Sequence, residues 1–152
     1  MGAALKIVSH SAPQYEFRAD RDGALTTYSV WELPSTASPH LGGPTCVASL
    51  HGWALEMVEA RVLRRLKAAN VRFGVPRAGE QRSWGLEEEA ALHLALLFRI
   101  AAPMRSVERV RQVVDGLDRM SRDEAAYWLG MAVHRKNPRR VLAALRMLLT
   151  TA

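Results

Sequence analysis

The sequence contains a single cysteine, Cys46, in 152 residues. No internal disulfide can form, and a reducing, cytoplasmic setting fits. Long apolar runs are absent as well. The longest stretch without a charged residue, Leu33 to Leu55, holds three prolines and three glycines and is broken by Ser, Thr and His, so it reads as no membrane span. The first ten residues, MGAALKIVSH, carry one lysine and no extended apolar core, which makes a poor secretory signal. Chemical signatures are also missing. No GxSxG is present to raise a nucleophile, no CxxC or HExxH to seat a metal, and no GxxxxGK[ST] or GxGxxG to cradle a phosphate. Lysine is scarce, with three against eighteen arginines.

The composition is that of a globular chain. Hydrophobic residues make up 49 %, enough to exclude a disordered tail, and the length suits one domain with its own core. The formal net charge of +6 is unevenly spread. Met1 to Phe98 carries ten basic and ten acidic residues, whereas Arg99 to Ala152 carries eleven and five. The last third is therefore basic, mostly through arginine, whose planar fork suits phosphate and carboxylate partners. Codon bias would produce the same excess.

The first fifty residues read as β-structure. Gln14 to Ala19 alternates, with Tyr15 and Phe17 on one face, and Leu25 to Leu33 is rich in β-branched and aromatic residues. The turn cluster from Asp20 to Gly23 joins them into a hairpin. Pro34 to Pro44 is a loop, and Cys46 to Leu50 is favoured as a third strand over the first turn of the next helix. From residue 51 the pattern is helical. Leu55, Val58, Val62 and Leu66 recur at three and four residues between Gly52 and Ala69. Asn70 to Gly85 has two breakers and little period, and reads as a connecting loop. Leu86 to Ala102 opens on three glutamates and is then apolar on nearly every face, as a central helix would be. Ser106 caps a helix bearing Val107, Val110, Val114 and Leu117. Ser121-x-x-Glu124 is a capping box for the next, and Asn137-Pro138 starts the last. The expected architecture is one α+β domain over residues 1–152: a small N-terminal antiparallel sheet packed on a C-terminal bundle of about five helices.

Candidate chemistry is weak. His93 sits among leucines, where a core histidine with a backbone or carboxylate partner is the ordinary reading. Cys46 and His51 offer two potential ligands where a structural zinc wants four. Neither a cofactor nor a catalytic residue is assigned. An enzyme built on Cys46, His51 or His93 would need those side chains to converge in one pocket.

The basic segments stand out more. On a helical wheel from Pro138, Val141, Leu142, Leu145, Leu148 and Leu149 form the apolar side, opposite Arg139, Arg140 and Arg146. Arg135 and Lys136 precede them in the turn, which gives five cations without an acid among them. A second group, Arg61, Arg64, Arg65 and Lys67, lies on the first helix. Joined in one patch, these would attract nucleic-acid phosphate or an acidic protein; an ordinary solvated helix face is the competing reading. Val107–Met120 and Arg122–Val133 resemble a helix-turn-helix, but AAYWLGMAV lacks the exposed polar residues that reach base edges, and is expected in the core with Trp128 and Leu129 buried and Tyr127 at its edge.

MetSerArgAspGluAlaAlaTyrTrpLeu (Met120 to Leu129), ArgArgValLeuAlaAlaLeuArgMetLeuLeu (Arg139 to Leu149) and, upstream, Glu88 to Phe98 resemble a family of small bacterial proteins of unknown function. The resemblance covers roughly the last 65 residues and extends more weakly into the front hairpin. It implies a place beside the helicase, ATPase and methyltransferase genes of antiphage defence clusters, and an accessory role; it carries no catalytic residues. The resulting expectation is a non-enzymatic accessory protein of a bacterial defence or DNA-processing assembly. Its partners would be a larger subunit, the DNA or RNA backbone, or both, and not a membrane.

Overall fold

The computed structural model describes residues 14–34, 42–134 and 138–151. Four strands form one antiparallel sheet: β1 (Gln14–Asp22), β2 (Leu25–Leu33), β3 (Thr45–His51) and β4 (Gln81–Leu86), in the order β3-β2-β1-β4. Five helices are seen among the described residues: α1 (Gly52–Ala68), α2 (Glu88–Ala101), α3 (Val107–Asp118), α4 (Arg122–His134) and α5 (Pro138–Thr151). The chain is thus α+β, with the sheet drawn mainly from its N-terminal part and the helices following.

The hairpin turns at Gly23, whose φ of 63° is the left-handed conformation that a two-residue hairpin loop needs. Register then puts like with like. Phe17 pairs with Val30 and with Trp84, and Ala19 with Tyr28. The inward face so formed carries an aromatic cluster in which Phe17, Tyr28, Phe73 and Trp84 meet at centroid distances between 5.0 and 6.0 Å. Phe73 comes from the connector after α1, so that connector covers the β1–β4 side of the sheet.

Two assignments made from the sequence change here. Asn70 to Gly85 is not all loop, because Gln81–Leu86 pairs with β1 as an edge strand. With one neighbour and only Trp84 and Leu86 turned toward apolar partners, it has too few hydrophobic residues to announce itself. The helix Arg122–His134 is also less buried than its composition suggests. Ala125, Leu129 and Ala132 are buried, Trp128 is only half-buried, and Tyr127 is 60 % exposed. That helix packs against α2 and α5, and its far side faces solvent.

α2 is the centre of the molecule. Ten of its fourteen residues are buried, and it touches β1, β2, β3 and all four other helices. α1 covers β2 and β3, tied down where the Tyr28 hydroxyl donates to Glu59 Oε2 at 2.9 Å. It ends on Asn70 in a left-handed conformation (φ 62°), with the Val71 N–H closing back on Leu66 O. Two of the expected caps are in place: Ser106 Oγ accepts from Arg109 N–H, and Ser121 and Glu124 exchange bonds of 3.1 Å in both directions; the third, Asn137, lies outside the described residues. α3 and α5 meet at Gly116, where a Cβ would stand 2.8 Å from Leu149 Cδ2. Among the described residues no helix is long and apolar enough to cross a membrane.

Candidate functional site

The last helix turns Leu142, Leu145 and Leu149 inward, with Val141 half-buried beside them. Arg139 and Arg140 are exposed at its first turn, and Arg146 is half-buried further along. Arg135 and Lys136 lie outside the described residues. The outward face departs from the wheel at Leu148, whereas Met147 lies outward among the arginines as the wheel has it. Leu148, placed with the core from the sequence, is 51 % exposed, and Met147 beside it is 68 % exposed. α3 and α4 pack on α5 from the side of its buried leucines. Following helical periodicity, the outer face runs from Arg139 and Arg140 through the exposed Ala143 and Ala144 to Met147 and Leu148. It is cationic at one end and apolar at the other.

The second basic group behaves differently. Arg61 spans from α1 to α3, donating to Asp115 Oδ1 at 2.7 Å and Asp118 Oδ2 at 2.6 Å. Its charge is already balanced by two carboxylates. Arg64 is exposed, and Arg65 is half-buried against a cleft that also holds Glu89, His93 and Asp118. α3 stands between the two groups: its Asp115 and Asp118 meet Arg61 of α1, and its Gly116 meets Leu149 of α5. The arginines of α1 and α5 therefore do not merge into a single cationic strip.

Cys46, His51 and His93 line three different depressions. His93 Nδ1 lies 2.8 Å from Glu89 O and Nε2 lies 2.9 Å from Met120 O. Both ring nitrogens are engaged with backbone, and the ring ties α2 to the α3–α4 turn. His51 is exposed at the end of β3 and makes no side-chain cap on α1. Cys46 Sγ sits 3.6 Å from Ala48 O; burial pushes its thiol up, partly offset by that carbonyl contact and by Arg99 and Arg18. No group of three metal-binding side chains is found among the described residues.

The depression holding Cys46 is a cleft of about 400 Å³ between the sheet and helices α2 and α4. Arg99, one of the few charges in α2, enters it and donates through both Nε (2.9 Å) and Nη2 (2.5 Å) to Val47 O. Val47 is the extra residue of a bulge in β3, where Val30 pairs with Ala48 but Trp31 pairs with Cys46. Burial holds the Arg99 guanidinium below its usual range. On the opposite wall, Arg122 is paired with Glu88 and Asp123. Tyr15 lies near Glu32; burial and then Glu32 push its hydroxyl up, against a smaller pull from Arg122. The sequence signal for this cleft was a lone arginine interrupting LALLFRIAA, visible but without a partner to give it meaning.

A family model described as Domain of unknown function (DUF7680) matches residues 15–151, and the chain belongs to that family. No curated protein and no solved structure matches.

Proposed function

We propose that this DUF7680 protein is a non-enzymatic accessory subunit that docks on a larger, acidic protein through the outer face of α5. The observation that carries this reading is the pairing on one helix face of two exposed arginines, Arg139 and Arg140, with two exposed large apolar residues, Met147 and Leu148. A phosphate backbone gains nothing from Met147 and Leu148. A protein surface with carboxylates at one end and apolar side chains at the other satisfies both halves, in the helix-in-groove manner. Methionine and arginine are also enriched at protein interfaces. Following the resemblance of the C-terminal segment, we place the partner in a bacterial antiphage defence or DNA-processing assembly, in the cytoplasm.

Nucleic-acid binding is the second reading, favoured by the +6 net charge that resides entirely after Phe98. Its contact set would be Arg139, Arg140 and Arg146, with Arg135 and Lys136, which precede α5 in the sequence; Arg64 and Arg65 would form a separate site, and Arg61 is committed to its aspartates. The two readings separate in one experiment. Co-purification of a partner that survives nuclease digestion and is lost in Arg139→Glu/Arg140→Glu supports docking. Salt-dependent, sequence-tolerant anisotropy shifts with DNA or RNA, weakened by Arg139→Ala/Arg140→Ala and unaffected by Met147→Asp, would replace docking with the nucleic-acid reading.

A further inference from the structure

The cleft between the sheet, α2 and α4 is independent of the α5 face, and three observations converge on it. First, Arg99 brings a partly desolvated cation into it, bonded to Val47 O but ion-paired with no carboxylate among the described residues. Secondly, Glu32 brings a carboxylate to the same cleft and is likewise in no ion pair among the described residues, whereas Glu88 and Arg122 neutralise each other. Glu32 pairs across the sheet with Thr45, and Arg99 is anchored at Val47. Those anchor points lie two residues apart on β3, about 6–7 Å of strand. Glu32 and Arg99 form no ion pair with each other among the described residues, and both line the one cleft. Thirdly, Gly130 lines the cleft with open space in front of it. A Cβ there meets nothing within 4 Å, although a glycine inside a helix is destabilising relative to alanine. Between the charges the walls are apolar, from Leu92 and Leu129. The volume of about 400 Å³ lies within the range of small-molecule sites.

We propose that this cleft binds a small zwitterion with the chemistry of a free apolar amino acid, its carboxylate on Arg99, its ammonium toward Glu32 and its side chain against Leu92 and Leu129 above Gly130. A lone carboxylate would gain Arg99 but face Glu32, and a lone amine the reverse. Only a ligand bearing both charges is favoured by both walls. A dianionic phosphate would gain Arg99 but face Glu32 with no positive group to offset it.

Cys46 is the only cysteine of the chain and lines the cleft, so its alkylation by iodoacetamide reports occupancy. L-leucine, 4-methylpentanoate and 3-methylbutylamine serve as probes, with the Gly130 amide and the Arg99 Nε–H followed by NMR. Leucine is expected to slow alkylation several-fold and to shift both signals, with each single-charge analogue clearly weaker. Glu32→Gln, a change at an exposed position, is expected to bring leucine down to the level of 4-methylpentanoate. Gly130→Phe, which fills the cleft, is expected to abolish the leucine effect while the rest of the spectrum stays folded. Unchanged alkylation and unchanged shifts with leucine would overturn the site. Equal effects of leucine and 4-methylpentanoate on the wild-type chain would overturn its zwitterion chemistry.

Discussion

Tyr28 and Arg61 are two side chains whose roles are set by what surrounds them rather than by their type. The Tyr28 ring is buried in the aromatic cluster, and its hydroxyl donates to Glu59 across the sheet–α1 boundary. Burial first, then the bond to Glu59 and its charge, push the hydroxyl above its ordinary value of 10.0. The folded state thus holds the proton more tightly than the unfolded chain. The stability this contributes is complete below the unfolded value and is lost as pH rises toward the folded one. Urea midpoints are expected to fall on going from neutral pH to about pH 11, and Tyr28→Phe to flatten that fall. An equal slope in the variant would show that other groups titrate instead. Arg61 joins α1 to α3 through two aspartates that are themselves more than half exposed. Solvent screening keeps such pairs weak, so Arg61→Met is expected to cost about 1 kcal/mol in urea unfolding, and less at high salt. The same pairing removes Arg61 from the nucleic-acid contacts its position on a basic helix suggested. A loss that is the same at low and high salt would point to packing by the arginine stem rather than to the ion pairs.

Elements are held by a few tight approaches, and the sharpest is between α3 and α5. Gly116 is buried with Leu149 against it, so the two helices approach more closely than any side chain there would allow. Gly116→Val adds helix propensity but drives branched methyls into Leu149 and its backbone. The expected net cost is about 2 kcal/mol, within the overpacking range, read from the urea midpoint. Gly116→Val with Leu149→Ala should recover part of that loss, and a double variant no better than the single would place the strain elsewhere. Elements with a strong local signal were legible in the sequence. The hairpin announced itself by alternation and a glycine turn, α1 by its Leu55–Leu66 stripe, and α3 and α4 by Ser106 and the Ser121–Glu124 box. β4 was not, because an edge strand seated on a partner some seventy residues earlier in the chain needs only Trp84 and Leu86, and pairing at that range leaves no local period. α4 misled in the other direction. Its AAYWLGMAV looks like core, yet only one side of it has helices to pack on. The charged cleft was invisible for the same reason as β4: Glu32, Arg99 and Gly130 come together only through the fold.

At the scale of the whole molecule, the sheet and α1 form one side around the central α2, and α4 and α5 close the other. That arrangement separates the arginines of α1 from those of α5 and leaves the α5 face cationic and apolar with no helix of the described chain laid over it. On the proposed reading, a partner protein completes this face. The most direct test is co-purification of the tagged chain from its native host after nuclease digestion. Wild type is compared with Arg139→Glu/Arg140→Glu and with Met147→Asp/Leu148→Asp, each shown to be folded by circular dichroism. One stoichiometric partner is expected with wild type, lost in both double variants. A partner retained by the Met147→Asp/Leu148→Asp chain, or recovery of nucleic acid alone, would contradict it.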